Sequence, residues 1–281
     1  MAPNDNVIRE NFAAEIAAVG GLTSAALIDA FALVPRESFL PPGPWLVEAI
    51  EGSLYRTPDA DLSRVLHAVG VCLDERRQLI NANPARIGRL IEAADVRPGE
   101  TVLHIGAGLG YYTAILAQLV GAQGRVLATE IDPDLVARAR SNLADLRQVE
   151  VVGDMPPSPL PPLDVIYASA GVTTIPRDWT EALTVGGRLL LPLTGTHDTG
   201  PVFLFQKTAD PAWYTAKRCT FMRFYPAVGM RDLDGMKALD QALADRRGEQ
   251  IGWLRLDTHA PGPGCWLHRP DYCLGGVSAE V

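Results

Sequence analysis

Residues 101–110 read Thr-Val-Leu-His-Ile-Gly-Ala-Gly-Leu-Gly, a buried-strand pattern that ends in glycines at 106, 108 and 110. A strand that stops there must turn sharply and re-enter as a helix, and glycine lets the backbone turn and lets a bound molecule approach closely, because no Cβ stands in the way. About twenty positions later the strand Arg125-Val-Leu-Ala-Thr-Glu130 ends in an acid. A carboxylate at that point can accept hydrogen bonds from ribose hydroxyls, so the pair of features points to a nucleoside cofactor. A dinucleotide turn needs glycine at position 111, where this chain has Tyr111. S-adenosylmethionine carries no phosphate and needs close approach at its amino acid end rather than an anion cradle, which suits Gly-x-Gly-x-Gly. A tight strand-to-helix connection that uses glycine for geometry alone is the plain alternative.

Composition narrows the function classes. A formal charge of −8 argues against dependence on a phosphate backbone, so no nucleic-acid partner is expected. No apolar run approaches the roughly twenty residues that span a bilayer, and Met-Ala-Pro-Asn-Asp-Asn lacks the basic-then-apolar order of a signal peptide. The chain is therefore expected to be cytoplasmic, without a membrane partner, and its four cysteines to be free thiols.

Patterning along the chain predicts an α/β architecture. Phe12, Ile16 and Val19 share a helical face, as do Leu27, Ile28 and Phe31 after a Thr23-Ser24 cap, and Pro35 ends the second helix. From Pro41 to about Arg77 the pattern is irregular, with a short helix expected around Leu62 to Val69. A helix over Pro84 to Ala94 runs to the turn Arg97-Pro98-Gly99. Strands and helices then alternate through Thr101–Ile105, Tyr111–Leu119, Arg125–Glu130, Pro133–Leu146, Val149–Val152, Leu163–Ala168, Asp178–Leu183 and Arg188–Pro192. This alternation predicts a doubly wound, mostly parallel sheet, with Val202–Lys207 and Thr215–Phe224 as an antiparallel edge hairpin. The proline-rich run 156–162 reads as an extended connection, and the last fifty residues as one amphipathic helix with a Gly/Pro-rich tail. Three regions result: 1–98 with helices and an acceptor-site segment, 99–230 as cofactor-binding core, and 231–281 as a C-terminal extension.

Several stretches in order resemble one family, the protein-L-isoaspartate (D-aspartate) O-methyltransferases: Val34-Pro-Arg-Glu-Ser-Phe-Leu-Pro41, the glycine turn, Glu130-Ile-Asp-Pro133, Val151-Val-Gly-Asp154, Val185-Gly-Gly-Arg-Leu-Leu-Leu-Pro192, and Phe203-Leu-Phe-Gln-Lys207 with Val228-Gly229. The resemblance implies a Rossmann-like S-adenosylmethionine-dependent fold and methylation of the free carboxylate of isoaspartyl or D-aspartyl residues in damaged proteins or peptides, a repair step. It implies Gly106, Ala107, Gly108 and Gly110 along the methionine moiety, Glu130 on the ribose, and Asp154 with Met155 at the adenine. No catalytic base is required, because a carboxyl with a pKa of roughly 3.5 is already ionised at neutral pH.

Two positions depart from the family. Where it carries Gln-Thr-Ile-Ser ahead of a core helix, this chain has Gln78-Leu-Ile-Asn-Ala-Asn-Pro84, which puts Asn81 at the position of the serine that meets the acceptor carboxylate. An amide NH₂ donates to a carboxylate as a hydroxyl does. The second departure is His104, where the family usually has an acid; it reads either as an indirect cofactor contact or as a histidine packed in the strand. Alternatives of other kinds are a dedicated peptide or small-molecule acceptor, and a non-catalytic cofactor-binding protein. In the tail, His259, Cys265, His268 and Cys273 would suit zinc if all four converged. The expectation is no metal, with Trp266, Leu267, Tyr272 and Leu274 covering an apolar surface.

Overall fold

The computed structural model describes residues 3–49, 52–153, 159–245 and 250–276, with side chains from residue 6. Its α-helices are α1 (Pro3–Gly20), α2 (Ala25–Leu33), α3 (Pro84–Ala94), α4 (Tyr111–Val120), α5 (Pro133–Asn142), α6 (Arg177–Ala182) and α7 (Leu233–Ala244). The strands are β1 (Leu46–Glu48), β2 (Leu54–Arg56), β3 (Gly70–Asp74), β4 (Leu79–Asn81), β5 (Thr101–Ile105), β6 (Arg125–Glu130), β7 (Val149–Gly153), β8 (Leu163–Ala168), β9 (Leu183–Pro192), β10 (Thr199–Lys207), β11 (Trp213–Arg223), β12 (Ile251–Arg255), β13 (Cys265–His268) and β14 (Cys273–Gly276). Contacts divide the chain into two compact units. The first is Met1–Gly99, Ala107–Val126 and Glu130–Gly153; the second is Glu100–Gly106, Leu127–Thr129 and Asp154–Val281.

In the first unit, Ser24 starts α2 by accepting a hydrogen bond from Leu27 N–H, and the shared apolar faces bury Phe12, Ile16, Leu27 and Phe31. Where the sequence pattern is irregular, the chain builds a four-stranded antiparallel sheet in the order β2-β1-β3-β4 around Trp45, Val47, Val65 and Val71. The helix expected around Leu62 to Val69 is only a 3₁₀ turn at Leu62–Arg64, started by the Asp61 carboxylate on Ser63 N–H. Three-residue strands are too short to display the alternation that marks a half-buried strand, which is why periodicity does not reveal this sheet.

Arg36 lies at the centre of this region with no exposed surface. Its Nη1 donates to Val65 O at 2.7 Å and His67 O at 3.1 Å, and its Nη2 to Val69 O at 2.8 Å and Asn81 Oδ1 at 3.1 Å. Nε also donates to Asn81 Oδ1, at 3.3 Å. Every N–H of the guanidinium is used, mostly on carbonyls of a segment with little regular structure of its own, while the Phe12 and Tyr111 rings pack against the charge. Burial holds the guanidinium pKa below its ordinary value.

The sheet of the second unit runs β13-β14-β12-β11-β10-β9-β8-β5. In the second unit β5 and β9 flank β8, both parallel to it, with Val102 opposite Val165 and Ile166 opposite Leu189. β10 returns antiparallel on β9, and β11 on β10, giving the expected hairpin. That hairpin does not end the sheet. β12 pairs antiparallel with β11, β14 with β12, and β13 with β14, so the C-terminal segment adds three strands that a Gly/Pro-rich tail does not advertise. Trp266 Nε1 ties β13 to Ala242 O of α7 at 2.8 Å, and Tyr272 Oη donates to Thr173 O at 3.1 Å. Trp266, Leu267, Tyr272 and Leu274 are all buried.

His104, in β5, is buried, with Nε2 at 3.0 Å from Ser169 Oγ and its ring edge-on to Tyr167. Burial pushes its pKa down to about 3.

Two tests follow from these buried polar groups. Lysine has three donors where Arg36 uses five, so Arg36→Lys leaves carbonyls unpaired and is expected to cost about 3 kcal/mol or more of stability in urea unfolding; a loss under about 1 kcal/mol would contradict the hub role. For His104 the unfolded chain takes up a proton near pH 6.5 that the folded chain refuses until about pH 3. Its contribution is thus fully present above pH 6.5 and lost at about 1.4 kcal/mol per pH unit as pH falls towards 3. His104→Gln should flatten that part of the stability profile between pH 7.5 and 5, and an unchanged slope would show that His104 is not held neutral.

Candidate active site at the glycine turn

β5 delivers the chain into a turn whose three glycines all have positive φ: 78° at Gly106, 57° at Gly108 and 93° at Gly110. They serve different ends. A Cβ on Gly110 would stand 2.7 Å from Leu143 Cδ1, so this glycine lets the start of α4 meet the end of α5. A Cβ on Gly108 would meet nothing within 4 Å, so the turn is open there, with backbone exposed to whatever lies above it. Gly106 N–H donates to Thr129 O at 2.9 Å. Gly110 N–H closes the turn on Ala107 O at 2.9 Å, and Asn142 Nδ2 holds Leu109 O at 2.9 Å.

Glu130 ends β6 and is 8% exposed. Its Oε2 accepts from Gly108 N–H at 2.8 Å, and its Oε1 accepts from Asp132 N–H at 3.0 Å. Burial raises the carboxyl pKa, and the bond from Gly108 is the largest influence against that rise. Each oxygen keeps a second lone pair for hydroxyl donors. Glu130, which the resemblance leads one to expect at the ribose, is thus also the fastener of the turn, a role its place at a strand end does not disclose. Asp132 in turn starts α5 by accepting from Asp134 N–H and Leu135 N–H, and pairs with Arg77. Asp154 and Met155 lie outside the described residues.

In the segment before α3 two buried asparagines do different work. Asn83 is spent as the helix cap: its Oδ1 accepts from Ala85 N–H at 2.9 Å and Arg86 N–H at 3.4 Å, and its Nδ2 bonds Ala68 O. Asn81, 8% exposed, presents its oxygen to two Arg36 donors. An arginine can only donate, so that atom must be the carbonyl, and the NH₂ points away without a partner among the described residues. Ala82 O accepts from Tyr112 Oη at 2.6 Å, which joins this segment to the first turn of α4. Tyr111, the residue that replaces a dinucleotide-type glycine, is buried against Phe31, Phe39 and Tyr112. Arg36 is the residue that sequence reasoning missed, although it stands inside the Val34–Pro41 motif. A separate cavity of about 470 Å³, lined by Pro41, Trp45, Leu46, Cys72 and Asp74, belongs to the small sheet rather than to the turn.

The fastening role of Glu130 has a direct test. In Glu130→Gln one carboxylate oxygen becomes an NH₂ that faces a backbone N–H, so the turn loses a bond and gains a repulsive pair. Affinity for S-adenosylmethionine, measured by calorimetry, is expected to fall about tenfold or more; unchanged affinity would detach Glu130 from the site.

Residues 63–232 match the family model described as protein-L-isoaspartate(D-aspartate) O-methyltransferase. A protein-L-isoaspartate O-methyltransferase of Aeropyrum pernix is 33% identical over 216 residues, covering 75% of each chain. Among solved structures, a protein-L-isoaspartate O-methyltransferase superposes with a TM-score of 0.67 at 21% identity, over 95% of this chain and 87% of that one. A Plasmodium falciparum structure of the same enzyme class, determined with S-adenosyl-L-homocysteine, gives a TM-score of 0.60 at 13% identity, over 78% of this chain and 97% of that one. These two likenesses bear out the S-adenosylmethionine-dependent methyltransferase fold that the family resemblance implies. With a matched family segment that spans more than half the sequence, the chain belongs to the protein-L-isoaspartate (D-aspartate) O-methyltransferase family.

Proposed function

We propose that this chain transfers a methyl group from S-adenosylmethionine to the free carboxylate of L-isoaspartyl or D-aspartyl residues in proteins or peptides, the step that opens their repair. Family membership supports the reaction, and the orientation of Asn81 supports the acceptor: its oxygen is fixed on Arg36, which leaves the NH₂ as a donor for a carboxylate.

The open backbone at Gly108 and the unused lone pairs of Glu130 fit the cofactor. Gly106, Ala107, Gly108 and Gly110 would line its methionine end, Glu130 its ribose hydroxyls, and Asp154 with Met155 its adenine. When bound, S-adenosylmethionine supplies a methyl group on a sulfonium that is already an activated leaving group. The acceptor carboxylate is ionised at neutral pH, so the protein has no proton to remove. Its work is alignment, and positioning of this kind can lower a barrier by roughly 7 to 11 kcal/mol. Asn81 would hold one acceptor oxygen, and the Arg36 charge behind it makes the amide a better donor. No helix among the described residues is long and apolar enough to cross a membrane, and we place the activity in the cytoplasm.

Incubation with radiolabelled S-adenosylmethionine and a synthetic isoaspartyl peptide is expected to give a base-labile methyl ester, absent with the normal aspartyl peptide. Labelling of other acceptors but never of this peptide would overturn the substrate assignment. Asn81→Asp keeps an oxygen for Arg36 and so should fold, but its second oxygen faces the acceptor carboxylate. Its kcat/KM for the peptide is expected to drop about 100-fold with cofactor affinity unchanged; full activity would exclude Asn81 from acceptor contact.

A further inference from the structure

The C-terminal strands hold a second cluster of reactive side chains, beyond the segment that matches the family. His259, Cys265, His268 and Cys273 each offer one ligand atom, and these four atoms lie within 4.8 Å of one another. The local fold explains the convergence. His268 and Cys273 are register partners on β13 and β14, so their side chains share a face. Cys265 lies three residues before His268, and in a regular strand that spacing would send the two to opposite faces. The pairing of β13 with β14 shifts register between Cys265 and Leu267, and this irregularity brings Cys265 to the side of His268. The Cys-x-x-His spacing, which belongs on a turn or helix, is thus made workable on a strand.

His259 enters from the loop that precedes β13. Its Nδ1 is 3.1 Å from Asp257 O, and a carbonyl can only accept, so Nδ1 carries the proton and Nε2 presents a lone pair. That Nε2 lies 3.6 Å from Cys265 Sγ. Histidines bound to metals are commonly oriented by such a bond from the other ring nitrogen. Gly262 N–H points at Cys265 Sγ at 3.4 Å, as a donor that supports a thiolate, and the His259 and His268 rings meet edge to face at 4.8 Å.

We propose that His259, Cys265, His268 and Cys273 form a structural zinc site. Tetrahedral zinc with roughly 2.3 Å bonds to sulfur and 2.0–2.1 Å bonds to nitrogen sets its ligand atoms about 3.3–3.8 Å apart. The His259 to Cys265 separation already falls in that interval. Side-chain rotation of about 1 Å closes the rest. Two thiols each release a proton to solvent on binding, so two thiolates, two neutral imidazoles and Zn²⁺ form a site of zero net charge. Soft sulfur with imidazole selects zinc over magnesium or calcium, which take oxygen. Four protein ligands leave no position for water or substrate, so the ion staples the loop after β12 onto the β13–β14 hairpin and takes no part in methyl transfer. Convergence, the condition that the sequence left open, is met in the fold. Burial of Trp266 and Tyr272 does not compete with it, because those side chains anchor the hairpin elsewhere.

The full-length chain, stripped with chelator under reducing conditions, is titrated with CoCl₂ and then ZnCl₂. The expected result is one cobalt per chain, with the intense visible absorption of a tetrahedral, thiolate-bound ion that one equivalent of zinc bleaches. Cys273→Ser and His268→Asn should each weaken binding about tenfold or more, while Cys72→Ser and Cys219→Ser bind as the parent does. His268 is exposed, so its variant keeps the test valid if Cys273→Ser does not fold. A weak octahedral spectrum, binding that survives both ligand variants, or recovery of a metal-free Cys265–Cys273 disulfide from the native protein would overturn the proposal.

Discussion

The segment that carries Asn81 hangs on one buried guanidinium. Removing Arg36 from water is costly, and the cost is met only because every N–H finds an oxygen. Three of those oxygens are backbone carbonyls of 65–69, where neither helix nor extended ladder supplies partners. The same group fixes the rotamer of Asn81 at the end of β4. Local order and the orientation of the Asn81 amide are therefore two results of one contact set, and a change at position 36 cannot affect one without the other.

The glycine turn shows a similar economy. Glu130 holds Gly108 and Asp132 with separate oxygens, so the turn and the start of α5 are set by one carboxylate before any ligand arrives. A pre-formed turn spares binding the entropy of ordering a loop. Gly110 contributes by absence of volume against Leu143, whereas Gly108 contributes by absence of volume above the backbone.

What the sequence discloses follows from length and contrast. β5, β6 and β8 are runs of five or six residues bounded by turn residues, and their limits read correctly from composition alone. α3 is legible for the same reason, with Asn83 and Pro84 marking its start. The first small sheet is not legible, since its strands are mostly three residues long and its order comes from Arg36, a residue that as a charge predicts exposure. The orientation of the Asn81 amide depends on Arg36, a contact far off in sequence, and the grouping of Cys265 with His268 depends on a strand irregularity that residue spacing does not encode. His104, one of two readings in the sequence, is a packed strand histidine beside Ser169.

The outer rim of β11 carries a consequence for how the protein behaves at high concentration. Its partner β12 covers it only at Trp213, Tyr214 and Thr215, although β11 continues to Arg223. The remaining length offers backbone donors and acceptors of the kind that recruit strands from other molecules. Lys217, Arg218 and Arg223 stand along it. Like charges brought together by edge-to-edge pairing repel, so these cations oppose the addition of a foreign strand along the length that β12 does not pair with among the described residues.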